Sequence, residues 1–400
     1  MAEKRTIFHI DVNSAFLSWT SAHNIENGKG PDLRKMAAVI GGDRDSRHGI
    51  VLAKSDAAKK AGIHTAMTIS EALTLCPNLV TAPPDFRIYR AYSARLMKYL
   101  RTLTPLVEQA SIDEAYLDLS SRPEISAAPV EAAYRIKDHI RNSFGFTVNV
   151  GISENKVLAK MASDFEKPDR VHTLFKNEIR EKMWPLPVSE LYMAGRSSVR
   201  KLKEMGINDI GDLARSDPAL IERRLKSHGR MLWLFANGID DSPVKAVREE
   251  PKGIGSSTTL PVDVTAPEEA DRVLKELCAQ VSRRLDKAGY MAGNICVEIK
   301  YSDFSKSSRQ HMLSSPVSSA DRLLAECTDI FRELWDGSPV RLLGVRASKL
   351  VRHGTPVQIS IMDMASPEYQ KEDRLESTLE EIKKRYGQGS VKRGSELEKR

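Results

Sequence analysis

Residues 109–120 read QASIDEAYLDLS, setting Asp113 and Glu114 side by side in a stretch where Ile112, Ala115 and Leu117 call for burial. In a regular strand, neighbouring side chains leave by opposite faces. Two adjacent acids therefore cannot share one ligand unless they occupy a hairpin tip or a kink. A third acid, Asp11, closes the short apolar run TIFHIDV at residues 6–12, and the NSAFLSWTSAHN that follows has helical spacing through Phe16 and Trp19. A strand that carries Asp11 to its end and then turns into a helix is the simplest reading. Three carboxylates converging at strand ends would make an oxygen-rich, negative site suited to Mg²⁺. Two such ions roughly 3.5–4 Å apart can stabilise the entering and leaving oxygens of phosphoryl transfer. The same acids could equally form a solvated hairpin tip.

Outward from this stretch, the chain alternates strands and helices. AAVIGGD and GIVLAKS read as two strands joined by the turn-rich GGDRDSRHG, and short helices follow to residue 79. Residues 87–103 form a helix with Tyr92, Leu96, Tyr99 and Leu100 on its apolar face. The strand-like block 107–119, the helix EAAYRIKDHIRNSFG and the strand FTVNVGIS come next. These alternations predict a mixed α/β or α+β first unit of about 165 residues with the 31–80 segment inserted in it. Residues 186–240 turn purely helical. After VREEPKGIGSS the order is strand, helix, strand, strand, helix, strand, the split β-α-β-β-α-β arrangement.

Bulk properties narrow the function classes. At 400 residues, with 41% hydrophobic and 29% charged residues, the chain describes an ordinary globular protein of two to four domains. It has no apolar run of 18 residues and no signal-peptide h-region, so a cytoplasmic protein without membrane contact is expected. The four cysteines show no paired spacing for zinc or a disulfide framework. A net charge of +7 favours an anionic partner. SENKVLAKMASDFEKPD, residues 153–169, is a helix with Lys156 and Lys160 at i,i+4 and Lys167 just before Pro168, where a helix should end. These lysines could meet a polyphosphate or simply face water.

HIDVNSAF, ASIDEAYLD and GISENKVLAKMASDFEKPD, in this order and at these separations, resemble the motifs of Y-family translesion DNA polymerases, in their DNA polymerase IV branch. The resemblance continues through a helix-hairpin-helix-like stretch and the split unit to about residue 390. It implies an α+β multidomain right-hand polymerase. The palm would be 1–30 and 80–168, small fingers 31–79 and a helical thumb 169–240. A linker at 241–255 would lead to a β-α-β-β-α-β little finger at 256–351 and a flexible tail at 352–400. It implies template-dependent, error-prone translesion synthesis from dNTPs on primer-template DNA, by two Mg²⁺ ions and a monomeric enzyme. By motif position, Asp11, Asp113 and Glu114 would ligate metal by side chain, and Val12 by its carbonyl. Phe16 would be the steric gate against a ribose 2′-OH, and Lys59 and Lys167 would contact the triphosphate.

Some positions depart from the family pattern. Asp56 stands where relatives often carry a triphosphate-contacting tyrosine, and Lys59 replaces an arginine, exchanging a bidentate fork for a point charge. Asn13 stands where many relatives have aspartate. In LYMAGRSSVRKLKEMG, Met193 replaces the first glycine of a DNA-gripping hairpin, while Gly195, Arg196, Arg200 and Lys201 remain. In the last strand Arg341, Gly344, Arg346 and Lys349 intersperse with apolar residues, and a strand with charge on one face and core on the other suits DNA phosphate contact that fixes register without reading sequence. VQISIMD, residues 357–363, resembles the peptide that binds the bacterial sliding clamp (the beta clamp), with Gln358, Ile361 and Met362 as anchors. A non-catalytic homologue that only binds DNA or the clamp is the alternative, against which the joint presence of Asp11, Asp113 and Glu114 argues. A nucleotide cyclase on a similar palm would explain the carboxylates but not the helical segment or the split unit.

Overall fold

The computed structural model describes residues 5–43 and 49–355, with isolated positions between 378 and 390. The chain divides between Glu249 and Glu250 into two compact units. In the first, β1 (Ile7–Val12) runs into α1 (Ala15–Asn27). A small sheet follows, where β2 (Ala38–Gly41) pairs antiparallel with β3 (Val51–Lys54). Two short helices, α2 (Asp56–Lys60) and α3 (Ile69–Leu75), separate β3 from β4 (Val80–Ala82), which lies parallel to β2. Val39, Val51, Ile63, Ile69 and Leu79 give this piece a core of its own.

Helix α4 (Phe86–Leu103) leads to the hairpin of β5 (Val107–Gln109) and β6 (Glu114–Asp118). Next come α5 (Pro123–Ser126), α6 (Pro129–Phe144), β7 (Val148–Ser153), α7 (Lys156–Asp164) and β8 (Val171–Thr173). The larger sheet has the order β5-β6-β1-β7-β8, with β1 in the centre and antiparallel to both neighbours. Both faces of β1 are covered. Phe8, Ile10 and Val12 pack with Trp19 of α1, Leu96 of α4 and Ile136 of α6, while Ile7 shares the opposite side with Tyr116 and Ala159. Burial on both faces is why this strand reads as an unbroken apolar run rather than an alternating one. Past β8 the unit is helical: α8 (Ile179–Lys182), α9 (Arg196–Glu204), α10 (Ile210–Arg215) and α11 (Pro218–Ala236), the last broken at Lys226 with φ 60°. Leu202, Leu213, Ile221 and Leu232 form a core here that takes in Leu158 and Met161 of α7.

The second unit runs β9 (Gly253–Val264), α12 (Pro267–Ala288), β10 (Tyr290–Tyr301), β11 (Lys306–Val317), α13 (Ala320–Leu334) and β12 (Val340–Arg352). Its sheet, β11-β10-β12-β9, is antiparallel throughout. Leu277 and Val281 of α12 and Leu323 and Ile330 of α13 cover Ile295, Val297, Val345 and Ala347 on one face of it.

The α+β multidomain class holds, and several local expectations change. The block 107–119 is two strands around a turn, not one strand. Helix α7 ends at Asp164, three residues before Lys167. The three-residue strands β4 and β8 went unread, being too short to show a period. Among the described residues no helix is long and apolar enough to cross a membrane.

Candidate active site

The two-sided burial of β1 decides where Asp11 goes. With Phe8, Ile10 and Val12 committed to the α1, α4 and α6 side, alternation turns Ile7, His9 and Asp11 toward α7. The register sets Asp11 opposite Glu114 on β6 and Asn149 on β7. Glu114 is the first residue of β6, and Asp113 is the last residue of the turn. That turn is closed by the Ala110 and Ser111 amides donating to the Glu114 carbonyl, and by Ser93 Oγ donating to the Ile112 carbonyl at 2.5 Å. The adjacent acids thus occupy a hairpin tip. Their carboxylates nevertheless separate: Asp113 accepts from Ser111 Oγ at 2.5 Å, and Glu114 turns to α7.

Helix α7 can approach because Gly151 lies beneath it. A Cβ on Gly151 would sit 1.9 Å from the Ala159 carbonyl oxygen. Asn155 caps the helix, accepting from the Leu158 amide at 2.9 Å. The approach delivers Lys160 between the acids, with Nζ 3.2 Å from Asp11 Oδ2 and 2.7 Å from Glu114 Oε1. Lys167 reaches the same Asp11 oxygen at 3.0 Å and Asp164 at 2.9 Å. Burial alone would raise the Asp11 carboxyl, but Lys167 and Lys160 outweigh it and hold Asp11 below the usual carboxylate range. Glu114 is pushed upward by burial, aided by Asp11, and Lys160 only partly offsets this. Lys160, although burial opposes its charge, is held above its ordinary value by Asp11, Glu114 and Asp164.

A polar network missed in the sequence reading aims Lys167. Asn149 on β7 accepts from Asn13 Nδ2 at 3.1 Å and donates to the Ser163 and Glu166 carbonyls at 3.0 and 2.6 Å. Asn13 in turn accepts from the Asp169 amide at 2.9 Å. Both sides of the Lys167-Pro168 bond are so tied to the end of β1. The signal was present in FTVNVGIS, where an asparagine interrupts an apolar strand. His9, also unread, is fully buried with Nδ1 2.8 Å from Ser163 Oγ. Burial, then Lys160, lowers its pKa to about 3, so the ring is neutral.

Asp11, Asn13, Ser14, Lys54, Ser55, Asp56, Lys59, Lys167 and Pro168 line one pocket. Phe16 lies in the first turn of α1 and stacks on Tyr89 at 4.4 Å and 9°. Two carboxylates beside a recess with three lysines are suited to bind a polyanion together with a hard cation. The acidic oxygens are of the type that holds divalent metals, and Lys160 and Lys167 now supply the positive charge such an ion would bring. Among the described residues no group of three or more His, Cys, Asp or Glu side chains is placed to hold a metal ion, and Asp113 is hydrogen-bonded to Ser111.

Farther off, Met193 takes φ 69°, in the left-handed region that favours glycine, and Gly195 immediately precedes α9. Arg196 and Arg200 on α9 are exposed, and neither they nor Lys201 form an ion pair among the described residues. In the second unit the three β12 cations do not share a regular strand face. Arg346 leaves opposite the buried Val345 and Ala347, beside its cross-strand partner Cys296. Arg341 lies at a register shift with its guanidinium 4.8 Å over the Phe304 ring, and Lys349, at φ 48°, interrupts the alternation. Gln358, Ile361 and Met362 lie outside the described residues.

Residues 10–164 match the model of the impB/mucB/samB family, and residues 251–361 match that of the family's C-terminal domain. Over 99% of both chains, the sequence is 46% identical to the DNA polymerase IV of Clostridium acetobutylicum. It is 35% identical to the DNA polymerase IV 1 of Bacillus subtilis, covering 99% of this chain and 94% of that one. The Y-family DNA polymerase chimera Dbh-Dpo4(243-245)-Dbh has a similar fold, with a TM-score of 0.76 at 24% identity over 87% of this chain and 100% of the other.

Proposed function

The chain belongs to the impB/mucB/samB family, in its DNA polymerase IV branch, and from that premise we infer how its own residues carry out template-directed synthesis. It is a DNA-directed DNA polymerase of the translesion type, joining dNTPs to a primer 3′-OH on a DNA template. Such nucleotidyl transfer needs divalent metal. The finer assignment is that Asp11, Glu114, Asp113 and the Val12 carbonyl would hold two Mg²⁺ ions, whose positive charge would supply Lewis-acid stabilisation to phosphoryl transfer.

The observation that carries this reading is the pairing of Glu114 with Asp11, which itself lines the lysine-rich pocket. Lys167 and Lys59 bind the triphosphate, and Asn13 and Asn149 hold the Lys167 segment in place. Lys160 holds Asp11 and Glu114 side by side and helps keep Asp11 ionised. Phe16, backed by Tyr89, acts as the steric gate against a ribose 2′-OH. In this reading the five-stranded sheet is the palm, the three-stranded sheet the fingers, the helical segment the thumb and the second unit the little finger. Unpaired Arg196 and Arg200 at the helical hairpin, with Gly195, and Arg341, Arg346 and Lys349 of the little finger, hold the DNA backbone. The tail peptide with Gln358, Ile361 and Met362 binds the sliding clamp.

Asp113→Ala and Glu114→Ala should each cut primer extension by on the order of a hundredfold or more while primer-template affinity stays near that of the parent. Extension at the parental rate by either variant would overturn the ligand assignment.

A further inference from the structure

The lysines of helix α7, its following loop and the pocket fall into two electrostatic groups. Lys156, Lys160 and Lys167 all meet carboxylates within 3.2 Å, at Glu108, Asp11, Glu114 and Asp164. Lys54 and Lys59, on the opposite wall of the pocket, make no ion pair among the described residues. Lys54 ends β3 and is half-buried, and its hydrogen bond to Thr65 Oγ1 is a long 3.4 Å. Asp56 lines the same pocket yet pairs with neither lysine. Burial, then the nearby Lys59 charge, makes the Lys54 ammonium less favourable than an isolated one. Two like charges held together in a part-buried recess repel each other until an anion sits between them. The sequence reading passed over Lys54.

We propose that Lys54 is a triphosphate-binding residue of this pocket, gripping the phosphate tail of the incoming nucleotide together with Lys59 across from Lys167. This rests on the reading of the pocket as the nucleotide site. It also accounts for Asp56: with two cations on the same wall, a carboxylate there leaves the pocket net positive toward a polyanion. A lysine ammonium donates up to three hydrogen bonds and can follow the phosphate oxygens without the fixed fork of an arginine.

The test compares Lys54→Met, Lys54→Arg, Lys59→Met and Lys167→Met in the full chain, with Lys60→Met as the control on the same helix outside the pocket. Single-nucleotide insertion and calorimetric binding of inorganic tripolyphosphate would be measured, with thermal melting to check folding. Lys54→Met should raise KM for dNTP about tenfold with kcat changed little, and weaken tripolyphosphate by a similar factor. Lys54→Arg should recover most of both, and Lys60→Met should change neither. If Lys59→Met and Lys167→Met raise KM while Lys54→Met melts and binds like the parent, the Lys54 assignment falls and the pocket stands. If none of the three moves KM or tripolyphosphate binding, the pocket is not the nucleotide site and both readings fall together.

Discussion

At the scale of single residues, Asp11 and Glu114 differ in their surroundings although they are cross-strand partners. Asp11 is buried, but its two lysines enforce its charge against that burial. Glu114 shares one lysine and is more easily neutralised. Phe16 presents a different kind of argument, because its ring works by volume. It is braced by Tyr89 in a stack and by Phe86 at 5.7 Å, so it cannot swing aside cheaply. Phe16→Ala should therefore lower discrimination against ribonucleotides by at least about tenfold, measured as the ratio of kcat/KM for dNTP and rNTP. An unchanged ratio would move the gate to another side chain. Val12 and the acids were legible in the sequence as a strand end and a polar interruption. Lys160 was legible only as a helix lysine, because its two strand partners, Asp11 and Glu114, are 149 and 46 residues away.

At the scale of elements, the contact of α7 with β1 and β7 governs the site, since it delivers Lys160 to the acids. Gly151 is what allows it. A methyl group there meets backbone rather than a yielding side-chain tip, so relief requires α7 to move outward as a body. Gly151→Ala should destabilise the first unit by on the order of 3 kcal/mol, seen as a lowered melting temperature, and should reduce insertion even where the protein remains folded. A variant that melts with the parent would show that the helix is not seated as closely as described. Strand β12 makes the complementary point. The pattern of charge between apolar residues suggested one basic face, but Arg346 lies an odd number of residues from both Arg341 and Lys349, so regular alternation already divides them between faces, and the strand is further irregular near Arg341 and at the left-handed Lys349.

For the whole molecule, the division at Glu249 and Glu250 separates two cores built from different residues. The second unit buries Leu277, Val281, Ile295, Ile330 and Val345 within itself, and every strand of its sheet pairs with another strand of the same unit. A fragment of residues 250–355 should therefore fold alone and unfold in one cooperative transition by circular dichroism. Lack of such a transition would mean that its core depends on the first unit. The tail peptide allows a separate expectation. Replacing Gln358, Ile361 and Met362 with Ala should leave insertion on naked primer-template unchanged and shorten products on clamp-loaded DNA, because tethering raises local concentration. Equal product lengths with the clamp loaded would refute that role.

The sequence by itself determined the elements and their order. Periods of 2 and 3.6 are local, so the β-α-β-β-α-β unit, helix α4, the strand ending at Asp11 and the turn demanded by adjacent acids could all be read from neighbours along the chain. The motif spacings carried the family for the same reason. Tertiary structure alone decided which of these acids meet. Asp11 and Glu114 became partners through strand register, Asp113 was turned away by Ser111, and Lys160, Asn149 and Lys54 acquired partners or surroundings far from them in sequence. Those outcomes depend on long-range pairing and on which face of a doubly covered strand is left for polar groups. No local period records either.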